Sequence, residues 1–136
     1  MAYRLSEISG VLHTHITNLA TMGINDTDDL LTQCGTPNGR ERIKHATKIP
    51  VEDLMRWAKR AELMRISGMG NEQATLLVAS GVDTLMELRR RVPTDRHDKL
   101  EGEKETLFIV KSRPSANTIR DWVVSAKQLQ PSFTIH

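Results

Sequence analysis

Residues 63–77 read Leu63-Met64-Arg65-Ile66-Ser67-Gly68-Met69-Gly70-Asn71-Glu72-Gln73-Ala74-Thr75-Leu76-Leu77, and their spacing decides the fold. Gly68 and Gly70 allow a tight turn and let another backbone come close. From Gly70 onward, Ala74, Leu77 and Val78 recur at helical spacing until Gly81, which suits the left-handed position just past a helix end. A helix that starts at such a turn points its first free amides and the positive end of its dipole outward.

The same pattern occurs earlier in the chain. A slide of 58 positions lays residues 5–30 over 63–88, with eight identities in 26 positions: Leu5/Leu63, Ile8/Ile66, Ser9/Ser67, Gly10/Gly68, Thr17/Thr75, Leu19/Leu77, Gly23/Gly81 and Leu30/Leu88. Residue frequencies alone give about one or two. A slide of 65 lays Leu54, Trp57, Ala58 and Ala61 over Ile119, Trp122, Val123 and Ala126. Seven residues are thus gained between Arg89 and Pro114. Internal repetition of this kind predicts two copies of one helical unit, 1–63 and 64–130, followed by a tail over 131–136.

Local signals agree. Ile16, Leu19 and Ala20 run to a stop at Gly23; Asp26 with Asp29, and Thr84 with Glu87, read as N-caps with their N3 partners. Gly35 ends the helix after Asp26, and Thr36-Pro37 starts another toward His45. Pro50 and Pro114-Ser115 precede the two tryptophan helices, and only Thr106–Lys111 has β-like composition, as an extended connector. The fold class expected is all-α: two pseudo-repeated units packed as one compact helical domain, because either unit alone would be marginal.

Composition excludes several function classes. The 136 residues carry 19 Lys+Arg against 17 Asp+Glu, a net charge of +2, so a dedicated polycationic coat is ruled out but a local basic patch is not. A hydrophobic content of 38% with 26% charged residues fits a globular protein rather than disorder. No apolar run approaches the ~18 residues of a membrane span, so no membrane partner is expected. Met1-Ala2-Tyr3-Arg4-Leu5-Ser6-Glu7 lacks the basic-then-apolar pattern of an export signal, and the expected compartment is the cytoplasm. Cys34 is the only cysteine, which excludes an intrachain disulfide.

The 63–77 stretch resembles the helix-hairpin-helix motif: an apolar residue, a small turn residue, Gly-apolar-Gly, then Ala and apolar residues at helical spacing. In two copies, the order of hairpin, Gly81-Val82-Asp83-Thr84 with Glu87-Leu88, and a terminal tryptophan helix is similar to the bacterial domain-of-unknown-function family 4332, over about residues 5–129. That resemblance implies a tandem helix-hairpin-helix, SAM-like fold and carries no settled biochemical role.

One candidate site follows from the hairpin geometry, which can hold a phosphate through backbone amides. Ser67, Gly68, Met69 and Gly70 would form the turn, with Arg65 supplying charge and Arg89, Arg90 and Arg91 a nearby basic run. The bland alternatives are a tight turn between packed helices, and arginines that complement a helix dipole and pair as Glu87–Arg91. Asp95 and Asp98 dilute the run that continues through Arg96, His97 and Lys99. Glu72, in the first turn after Gly70, would repel a phosphate; in the first copy Leu12 replaces the second glycine and would crowd one. Arg40, Arg42, Lys44 and Lys48 form a second basic cluster, again either a solvated face or a binding surface.

Other chemistry finds little footing. His13 and His15 lie two apart, about 200° around a helix, and cannot share a metal. Cys34 reads as a small, half-buried packing residue, and Trp57 and Trp122 as core anchors. No nucleophile elbow, P-loop, dinucleotide fingerprint or zinc-protease motif is present, so neither catalysis, a metal nor a cofactor is expected. The expected function is a non-catalytic DNA-binding or DNA-associated module with weak, sequence-independent phosphate contact. The alternative is a helical domain that binds or scaffolds another protein.

Overall fold

A computed structural model describes residues 2–66, 69–79, 81–89 and 116–134. A short 3-10 turn at Leu5–Glu7 leads into α1 (His13–Ala20), α2 (Thr27–Cys34), α3 (Pro37–Thr47) and α4 (Val51–Leu63). Then come α5 (Asn71–Ala79), α6 (Leu85–Arg89) and α7 (Ala116–Gln128). Among the described residues there is no strand, only an isolated antiparallel bridge between Arg4 and Asp26. The protein is all-α and compact.

The helix ends follow the capping chemistry. Asp26 accepts the Asp29 N–H, Thr36 accepts the Gly39 N–H, and Thr84 accepts the Glu87 N–H, each satisfying an amide that the helix cannot. Gly23 and Gly81 stand at φ 78° and 95°. In both places the next residue turns its N–H back five positions, Ile24 to the Leu19 carbonyl and Val82 to that of Leu77, and buries its side chain. α1 and α5 begin 58 residues apart, whereas α4 and α7 begin 65 apart and both span 13 residues.

One glycine acts differently from its expected role. Gly35 follows α2 at φ −72°, an ordinary helical value, so it is no left-handed stop. A Cβ there would lie 2.3 Å from the Ser132 carbonyl oxygen and 2.5 Å from that of Leu31. Close approach of the C-terminal segment is what demands glycine at this position.

Helices α2, α3 and α4 pack mutually, α5 lies on α4, and α6 packs against α7. Trp57 of α4 and Trp122 of α7 are both buried, in a single apolar cluster that runs from Leu5, Leu19 and Leu54 through Leu63, Met64 and Met69 to Leu77, Leu88 and Val123. Cys34 is fully buried rather than half-buried. Burial pushes its thiol up to about 11 despite the opposing pull of Arg40 and Arg42, so it is inert near neutral pH. No helix among the described residues is long and apolar enough to cross a membrane. The connector over Thr106–Lys111 and the Pro114-Ser115 helix start lie outside the described residues.

Candidate functional site: the hairpin turns and the clefts beside them

The two hairpin turns meet. The Ser9 N–H donates to Asn71 Oδ1 at 3.2 Å, and Asn71 Nδ2 donates to Ser9 Oγ at 2.9 Å. Arg60 of α4 adds Nη1 bonds to the same Asn71 Oδ1 at 3.1 Å and to Thr75 Oγ1 at 2.8 Å. The start of α5 is thereby pinned to the first turn.

Each hairpin helix spends its outermost amide on its own side chain. The Leu12 N–H, at the N-cap of α1, donates to His15 Nδ1 at 3.0 Å. The Gly70 N–H donates to Gln73 Oε1 at 3.0 Å. His15 and Gln73 are themselves 58 positions apart, so one device is built twice from different residues. The His15 ring also lies against Trp57, with centroids 4.9 Å apart. Gly10, at φ 91°, requires the left-handed backbone that brings its turn over the Trp57 indole.

Of the residues expected to hold a phosphate, Arg65, Met69, Gly70 and Arg89 are described. Met69 is buried, and its N–H donates to the Ile66 carbonyl at 3.0 Å. Arg65 Nη1 donates to the Gln130 carbonyl at 2.7 Å and to Ser132 Oγ at 2.6 Å, which ties it to the C-terminal segment. Arg89 is half-buried, with Nη1 3.8 Å from Met86 Sδ. Ser67, Gly68, Arg90 and Arg91 lie outside the described residues, as do Asp95, Arg96, His97, Asp98 and Lys99. Leu12 is 60% exposed and stands where a phosphate would approach the first turn.

The second basic cluster is not one surface. Arg40 is only 1% exposed. Its Nη1 donates to the Cys34 carbonyl at 3.0 Å and its Nη2 to that of Thr134 at 2.7 Å, with the guanidinium carbon 4.7 Å from the Phe133 ring centroid. Desolvation lowers its pKa, opposed by Cys34. Arg42 bonds Gln33 Oε1, while Glu41, Lys44, His45 and Lys48 line a shallow hollow of about 260 Å³. No group of three His, Cys, Asp or Glu side chains converges as a metal site among the described residues.

Sequence reasoning missed two polar centres on α4. Glu62 is 1% exposed. Its Oε1 accepts the Leu85 N–H at 2.8 Å, and Oε2 accepts those of Ser132 at 2.7 Å and Phe133 at 3.0 Å. Arg60, 9% exposed, faces a cleft of about 400 Å³ between α4 and α5, lined by Glu52, Met55, Arg56, Lys59, Val78 and Asp83. A detectable signal existed for Glu62: with Leu54, Ala58 and Ala61 it falls at the i, i+4, i+7, i+8 positions of the apolar stripe. A second cleft of about 490 Å³, lined in part by Asp28, Thr36, Arg65 and Ser132, flanks the docked C-terminal segment.

The sequence pattern of the family described as Domain of unknown function (DUF4332) matches residues 9–129. The chain belongs to this family. No curated protein and no solved structure matches it. Membership in DUF4332 covers α1 through α7 and leaves the docked segment beyond Leu129 outside the matched range.

Proposed function

We propose that this DUF4332 chain is a helical interaction module that recognises a protein partner, with its hairpin turns joining the two sequence halves rather than gripping DNA. The observation that carries this reading is that the N-cap amide at each turn mouth is already bonded within the chain. In one, the Leu12 amide is taken by His15 and the leucine side chain projects into solvent; in the other, the Gly70 amide is taken by Gln73. A leucine side chain at the first mouth, where the second hairpin has Gly70, would crowd a phosphate approaching the backbone. Arg65, the cation best placed for phosphate, is engaged by Gln130 and Ser132.

Fluorescence anisotropy of a labelled DNA duplex tests this directly. At ~50 mM salt, where counterion release favours binding most, no saturable association is expected. Sequence-independent binding with a log–log salt slope of roughly −2 to −4, reduced by about one unit in Arg65→Ala, would restore the DNA-associated reading.

A further inference from the structure

The cleft between α4 and α5 has a chemistry that the fold leaves incomplete. Arg60 is nine-tenths buried and lines it. Two cations beside it have carboxylate partners: Arg56 reaches Asp53 at 2.6 Å, and Lys59 reaches Asp83 at 2.9 Å. Arg60 has no carboxylate among the described residues; its Nη1 bonds only the neutral Asn71 and Thr75 side chains. Nε is buried without a hydrogen-bond partner, and Nη2 makes no hydrogen bond to a described residue. Nε is sealed from solvent, whereas Nη2 is not, which leaves a charged donor for an incoming carboxylate oxygen. A buried guanidinium without a counter-charge is costly, and burial together with the Arg56 charge lowers its pKa. The walls beside it, Met55 and Val78, are apolar and half-buried. A volume of about 400 Å³ falls in the range of small-molecule sites.

We propose that this cleft binds a small organic acid, with the carboxylate accepting from Nη2 of Arg60 and a branched or aromatic apolar body resting on Met55 and Val78. The cleft lies between α4 and α5, and its occupancy does not depend on the protein-partner reading. Carboxylate rather than phosphate is favoured because Glu52 and Asp83 also line the cleft, and a doubly charged head would meet both.

The test uses the whole chain and two acids, N-acetyl-L-leucine and benzoate, each beside its neutral amide. Heteronuclear NMR follows the Arg60 Nε–H and the Met55 and Val78 methyl groups. Each proposed contact predicts saturable shifts at all three residues, with the better acid binding at least about tenfold more tightly than its amide. Val78→Phe, which narrows the cleft at a residue that does not bond Arg60, should abolish the shifts at Arg60 and Met55. Arg60→Lys, which keeps the charge and withdraws the Nη2 donor, should weaken the acid about tenfold and leave the amide unchanged. Should Arg60→Lys fail to fold, the acid–amide pairs and Val78→Phe still decide. Equal titration by acid and amide, acid shifts that persist in Val78→Phe, or no saturable shift with either acid would overturn the proposal.

Discussion

Two polar seams tie the first half of the chain to the second, and they are built on opposite principles. At the hairpin turns, Ser9, Asn71, Thr75 and Arg60 make a seam of neutral acceptors around one cation, with donor capacity to spare. At the C-terminal segment, charged side chains meet backbone. Glu62 accepts three N–H groups, Arg40 and Arg65 donate to carbonyls, and the Thr134 N–H closes on the Gly35 carbonyl at 2.8 Å. Charge-assisted bonds to buried backbone are strong and demand full satisfaction. The difference separates what the fold needs from what it can offer: the seam in which charges meet backbone is structural, and the one built on neutral side chains borders the cleft.

Breaking the charged seam should have the largest effect. Glu62→Ala strips three buried amides of their acceptor and should cost about 3 kcal/mol or more in urea unfolding. A loss below about 1 kcal/mol would mean that water replaces the carboxylate and the seam is less closed than described. Gly35→Ala comes next, because its Cβ meets two backbone oxygens that cannot swing aside. Roughly 2 kcal/mol is expected, together with loss of the amide-exchange protection of Thr134 as the segment lifts. Gly81→Ala separates crowding from backbone strain. At φ 95° it should cost roughly 1 kcal/mol without releasing the segment.

The neutral seam should yield less. A double-mutant cycle on Ser9→Ala and Asn71→Ala is expected to show about 0.5–1 kcal/mol of coupling. A coupling above about 2 kcal/mol would make the two seams energetically alike and remove the distinction drawn between them. Beneath the charged seam, Cys34 supplies a pH dependence. Its folded pKa is raised, so its contribution is fully present below about 9.0 and is lost as pH rises toward about 11, where the unfolded thiol ionises and the buried one does not. Near neutrality, where the thiol is protonated in both states, stability does not vary with pH on its account. The alkaline decline in stability should be shallower in Cys34→Ala than in the wild type.

Sequence patterns expose what is local. Asp26, Thr36 and Thr84 cap the helices whose starts they mark, and Gly23 and Gly81 turn left-handed where the apolar periods stop. These features depend on neighbours within five positions. The site was less legible because its partners are distant: Arg65 meets Gln130 and Ser132, and Arg40 meets Thr134 across 94 positions. Arg40 read as part of a solvated or binding face and Arg65 as a phosphate-binding cation because arginine rarely stays buried unless it is bonded, and the Gln130 and Thr134 carbonyls that bond them belong to a segment with no periodicity of its own. Arg60 was hidden for the same reason, since Asn71 and Thr75 carry no charge to advertise a pair.

Each hairpin helix spends its N-cap amide, Leu12 or Gly70, inside the chain, and on this the reading against phosphate rests. Amide hydrogen exchange at Leu12 and Gly70 tests it most directly. Both N–H groups should be protected well beyond unstructured-peptide rates, with protection lost selectively at Leu12 in His15→Ala and at Gly70 in Gln73→Ala. Exchange at peptide rates in the wild type would contradict the account, because it would leave both amides open to an incoming phosphate.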